Sequence, residues 1–179
     1  MSEVILELVE EFFQQRKYFT ARHENLIMIR KMKGQQESSE TGFILDESGV
    51  ESVSAAIVKA LAWHTCKITT RVLETFPEIL DFAHQARIKK FAEWFSGAPF
   101  AKLLIIPQFP AHFELRQRVM KRLEDTGIDH VMTIPSIISG VINRIDPRKV
   151  YSSPICDLLR ILKFYNIISP TGEQMELPL

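Results

Sequence analysis

Lys59 is the residue that most needs a chemical explanation. It breaks an apolar run, residues 55–63 (AAIVKALAW), that otherwise holds no charge. An ammonium taken out of water costs several kcal/mol unless it is paired, and its pKa falls as a result. Such a lysine serves either as an active-site group beside an acid, with Asp46 as a candidate partner, or as a structural residue that reaches solvent at a sheet edge. The run leads into Trp63-His64-Thr65-Cys66, where alternation would let His64 and Cys66 share a face. A Cys/His nucleophilic pair also needs hydrogen-bond reach and a third orienting group, and the sequence shows neither.

Other site chemistries are thinly supplied. His23, His84, His112 and His130 are scattered without HExxH or CxxC spacing, which argues against zinc. GxGxxG, GxxxxGKS/T and GxSxG patterns are absent, which disfavours the common nucleotide-binding and hydrolase classes. Arg118, Lys121 and Arg122 would share one face of a helix. They form a candidate nucleic-acid-binding stripe, although such charge runs are more often the solvated side of a helix.

The 179 residues suit one domain. With 46% hydrophobic and 25% charged residues, the chain has the make-up of a packed globular protein rather than a disordered one. Lys+Arg and Asp+Glu number 22 each, so no global positive field draws it to nucleic acid, and only a local basic patch could. Its apolar runs fall far short of the roughly 20 residues of a membrane span. The polar, acidic start (Met1, Ser2, Glu3) does not read as a signal peptide. Cys66 and Cys156 are too few and too far apart for a disulfide framework, and they read as reduced thiols in a cytoplasm.

Periodicity supplies the elements that must position these residues. Residues 2–16 predict an amphipathic helix with Ser2 as N-cap and Val4, Ile5, Leu8, Val9, Phe12 and Phe13 on one stripe. Residues 18–23 and 26–32 predict a hairpin around Glu24-Asn25. Residues 33–41 (KGQQESSET) read as a loop, 42–45 (GFIL) as a strand and 46–49 (DESG) as a turn. The run at 55–63 predicts a strand buried on both faces, with a helix as the competing reading. Residues 70–96 predict mainly helix, divided at Pro77 into a short turn and a long helix that Gly97 ends.

Beyond these come a strand at 102–107 and a helix at 113–126 with Leu115, Val119, Met120 and Leu123 inward. A strand at 130–134 and a helix from Pro135 or Ser136 to about Ile145 follow. In a last helix, residues 154–165, the apolar positions Ile155, Leu158, Leu159, Ile161, Leu162 and Phe164 occupy more than one face. That helix docks on the chain's own sheet or on a second copy in a homodimer.

The order of helix, three-strand meander, crossover helix and fourth strand resembles the core of the restriction-endonuclease-like, or PD-(D/E)XK, superfamily. The resemblance covers roughly residues 2–110, and its most similar phrase is GFILDESGVESVSAAIVKALAWHT, residues 42–65. It implies an α/β fold: a single central mixed sheet flanked by helices, with an α-βββ-α-β core plus a C-terminal helix-strand-helix extension. Residues 1–168 would form that one domain and 169–179 an extended tail. In the family, two acids hold Mg²⁺ while the lysine of an (Asp/Glu)-x-Lys strand orients the attacking water. The metal stabilises charge developing on the phosphate. A Mg²⁺-dependent nuclease built on this resemblance would use Lys59 with acids from outside the usual positions, Asp46 (or Glu40) and Glu10 (or Glu11) reaching in from the first helix, as its catalytic set.

The chain departs from that pattern in every register. With Lys59 as the motif lysine, the acid position falls on Ile57. With the strand shifted, Lys59 takes the acid position, Leu61 the lysine position, and the strand-start acid falls near Gly42. A lone acid binds Mg²⁺ poorly, because the ion gives up its water reluctantly. The expectation is therefore a noncatalytic binding or regulatory module, without metal or other cofactor, whose partner is nucleic acid or protein and not a membrane. A divergent Mg²⁺-dependent nuclease hydrolysing phosphodiester bonds is the alternative.

Overall fold

The computed structural model describes residues 3–32, 42–46, 49–62 and 67–168. The Ser2 cap, the 33–41 loop, the Trp63 to Cys66 corner with its His64/Cys66 pair, and the 169–179 tail lie outside the described residues.

Helix α1 (Glu3–Gln14) buries Ile5, Leu6, Leu8, Val9, Phe12 and Phe13. Val4, expected in the stripe, is exposed, and Leu6 faces the sheet in its stead. Strands β1 (Tyr18–His23) and β2 (Leu26–Lys31) pair antiparallel around Glu24, whose φ of 54° supplies the left-handed corner of a two-residue hairpin. Strand β3 (Ala55–Ala60) runs antiparallel to β2, so the apolar run is a strand and not a helix. Strands β4 (Ala101–Ile106) and β5 (His130–Thr133) follow in parallel. The result is an α/β architecture with one five-stranded mixed sheet, in the order β1-β2-β3-β4-β5.

Two expectations are corrected. Residues 42–45, expected as a strand, form none of the sheet's strands, among which β2 has β1 and β3 as its two neighbours. Instead Ile44 makes a single parallel bridge to Val131 on the outer edge of β5. It is held by Leu45 N–H to the Val131 carbonyl (3.0 Å) and Val131 N–H to the Phe43 carbonyl (2.8 Å). The crossover is also not one long helix after Pro77. It consists of α2 (Thr70–Thr75), two 3₁₀ turns (Pro77–Ile79 and Asp81–Ala83) and α3 (Gln85–Ala92). Phe76 sits at φ −125°, ψ 68°, outside the helical region that a following proline disfavours. His84, extended at φ −70°, ψ 141°, interrupts the chain a second time.

Alternation along β3 sorts the two faces of the sheet. Ala56, Val58 and Ala60 face a core shared with α1, α5 (Ile134–Arg144) and α6 (Pro154–Phe164). Ala55 and Ile57 face a second core with α2, the 3₁₀ turns, α3 and α4 (Phe113–Asp125). On α4, Val119 and Leu123 are buried as expected, but Leu115 on the first turn is exposed.

The first face is closely built. A Cβ on Gly140 of α5 would lie 2.5 Å from the Phe12 ring and 2.8 Å from Arg16 Nη2, so the two helices touch backbone to side chain there. The buried Arg16 guanidinium donates to the carbonyls of Phe12 (3.0 Å) and Gly140 (3.4 Å) and lies over the Phe12 ring. The Tyr18 hydroxyl, 2.7 and 2.6 Å from the carbonyls of Val50 and Val53, pins the segment leading into β3. Thr133 and Ser136 cap α5 reciprocally. Among the described residues, no helix is long and apolar enough to cross a membrane.

Candidate functional site

Lys59 is the penultimate residue of β3, level with Leu26 at the start of β2 and with Leu104 of β4. Strand alternation turns it toward the second face, where the 3₁₀ turns meet it. Its half-buried ammonium donates to the Glu78 carbonyl at 2.5 Å and lies 5.7 Å from the centre of the Phe82 ring, within range of a cation–π contact. Burial holds its pKa below the ordinary 10.5, Asp81 and Glu78 pull it back up, and Arg87 pushes it down. Around it the charges are linked: His84 lies 3.8 Å from Asp81, and Arg87 lies 3.7 Å from Glu24 in the hairpin corner. A cleft of about 430 Å³ opens beside Arg87 and Glu24, walled by His23, Met28, Phe91 and Trp94.

The structure does not bring the three residues of the nuclease pattern together. Glu10 lies on α1, on the opposite face of the sheet, where both of its carboxylate oxygens accept from Arg22 at 2.7 and 2.6 Å. Glu3 binds the same guanidinium. Asp46 follows the Ile44 bridge, beyond β5 and so two strands away from β3. There its Oδ1 accepts from Gly49 N–H at 2.8 Å. Neither acid is among the groups that act on Lys59. Ile57, which would take the acid position if Lys59 were the motif lysine, is fully buried in the second core.

The acids that do reach Lys59 come from the PEILDFA segment, residues 77–83, which reads as helix in the sequence. Glu78 and Asp81 stand three residues apart after a proline, and that spacing is the only mark the sequence carries of their common neighbourhood. Two carboxylates near a lysine could share a cation, but Mg²⁺ asks for near-octahedral oxygen ligation. Among the described residues, no three His, Cys, Asp or Glu side chains gather as a metal-binding group.

Arg118, Lys121 and Arg122 are all exposed on the outer side of α4, as expected, and the acids Glu114, Glu124 and Asp125 flank them along the helix. The local field is therefore weaker than the basic residues alone suggest. Cys156 is buried in α6. Desolvation and Glu11, which accepts from its thiol at 3.3 Å, push that thiol up to about 12, so it is no nucleophile at neutral pH. A wider groove of about 710 Å³ lies at the amino ends of β3, β4 and β5, where Lys102 and Asp129 pair at 3.0 Å, far from Lys59 along the strands. Comparison with known protein families, with characterised proteins and with solved structures finds no match to this chain.

Proposed function

We propose that the chain is a noncatalytic member of the restriction-endonuclease-like fold, acting as a binding or regulatory module in the cytoplasm. The order α1, β1 to β3, crossover and β4, with β3 and β4 parallel, supports that kinship. On this reading α4, β5 and the two last helices are the C-terminal addition. The observation that carries the noncatalytic part is Ile57, a buried hydrocarbon where the motif needs a carboxylate, next to a lysine whose ammonium is tied to a carbonyl. The outer side of α4, with Arg118, Lys121 and Arg122, offers phosphate contacts to a nucleic-acid partner; a protein partner would not need them.

Incubation of the protein with Mg²⁺ or Mn²⁺ and plasmid, single-stranded DNA or RNA is expected to leave the nucleic acid intact. Calorimetric titration with Mn²⁺ is expected to show no stoichiometric site. Metal-dependent cleavage would overturn the reading. One observation favours the alternative of a divergent Mg²⁺-dependent nuclease, namely that Glu78 and Asp81 are the acids acting on Lys59. An enzyme of that kind would lose cleavage in Asp81→Asn and keep it in Asp46→Ala and Glu10→Gln.

A further inference from the structure

The outward side of α6 is apolar where a helix facing water is ordinarily charged. Leu158, Ile161, Phe164 and Tyr165 are 57%, 38%, 59% and 69% exposed, and Ile167 just past the helix is 52% exposed. Within α6 only Cys156 is buried. The helix seats Cys156, Ile155 and Leu159 on the first face and is tied there by polar bonds: Ser153 Oγ to Glu7 (3.1 Å), the Cys156 thiol to Glu11 (3.3 Å), and Lys163 Nζ to the carbonyls of Ile142 and Ile145 (2.8 and 2.7 Å). These tethers fix which side looks outward, and they use up charges that would otherwise solvate it. Asp157 borders the apolar side, and its carboxylate accepts from Arg160 Nε at 2.7 Å within the helix.

We propose that α6 packs against α6 of a second copy, antiparallel about a two-fold axis near Ile161, to form a homodimer. Leu158, Ile161 and Tyr165 follow i, i+3, i+7 spacing, the seam along which two helices interlock, with Phe164 beside it. The exposed patch is on the order of 500 Å², comparable to the largest apolar patch of an ordinary monomer, which is often functional. Two such patches together bury on the order of 1,000 Å², about the least that a specific interface needs. An isologous contact asks only that a patch fit itself. An apolar seam does so without like-charge repulsion, and the antiparallel arrangement keeps the two Asp157 carboxylates about 12 Å apart along the axis. Phenylalanine and tyrosine are also the residues that such contacts favour. The dimer rests on this seam and stands independently of the nuclease kinship.

Sedimentation equilibrium of the full chain is expected to give twice the chain mass, and Ile161→Arg the single mass with an unchanged thermal melt. Ile161→Cys in a Cys66→Ser background is expected to cross-link under oxidation, because a residue on a two-fold axis meets its own copy. A full chain that stays monomeric across the concentration range, or a dimer that survives Ile161→Arg without cross-linking at 161, overturns the proposal. A monomer that dimerises only after removal of residues 169–179 also overturns it, and assigns the seam to the chain's own end.

Discussion

The two faces of the sheet are covered in different ways. On one, α1 and α5 cross so closely that Gly140 leaves no room for a methyl group, and the buried Arg16 and Tyr18 donate to backbone carbonyls. On the other, the crossover comes in short pieces, α2, two 3₁₀ turns and α3. Its turns bring the Glu78 carbonyl to the Lys59 ammonium at the end of β3 and place the Glu78 and Asp81 carboxylates within electrostatic range of it. A continuous helix keeps its carbonyls for itself, whereas broken turns leave carbonyls to offer a lysine. The chemistry-bearing residue therefore lies under the irregular cover.

The largest expected effect tests the regular face. Gly140→Ala gains helix propensity worth up to about 1 kcal/mol. The new methyl must displace the Phe12 ring and the Arg16 guanidinium, and overpacking of this kind costs roughly 1–3 kcal/mol. A net loss of roughly 0–3 kcal/mol in urea unfolding is expected, and a stabilised variant would show that the crossing is looser than it looks.

Lys59→Met tests the irregular face. At neutral pH the lost bond to Glu78 and the relieved desolvation oppose each other, so stability should change by less than about 1 kcal/mol. The pH dependence is more telling. The folded-state pKa of Lys59 lies below 10.5, so below the folded value its charged form costs the native state stability in full. That cost is relieved as pH rises from the folded value toward 10.5, and wild type should gain on Lys59→Met across that window. Parallel unfolding curves over the same range would mean that burial does not govern this lysine.

The smallest effect belongs to α4. Substituting Arg118, Lys121 or Arg122 singly by Ala should shift stability by no more than about 0.5 kcal/mol in thermal melts. A larger loss would show that the outer side of α4 is packed and not solvated.

Much of the fold was legible because its cues are local. Glu24-Asn25 between two β-rich runs marks the hairpin, and Gly127 ends α4 with φ 84°. The crossover was not legible. Ile79, Leu80, Phe82 and Ala83 recur at i, i+1, i+3 and i+4, which is helical spacing, and only the backbone at Phe76 and His84 breaks it. The placement of Ile44 was hidden as well, because its bridge partner Val131 is far along the chain. At the site, a charge in an apolar strand singled out Lys59. Its neighbours escaped notice because the lysine bonds a backbone carbonyl, which every residue type carries, 19 positions away.

The single rung at Ile44 bears on how the molecule behaves at high concentration. An open outer strand is a template for recruiting extended chains, the first step toward fibres. At β5 a newcomer must first strip off two main-chain bonds that the protein makes to itself. At the far border, Arg22 in β1 is clamped by two glutamates of the first helix, and charge there discourages stacking of like edges. Both margins of the sheet are thus guarded, one by a few residues of its own backbone and the other by charge.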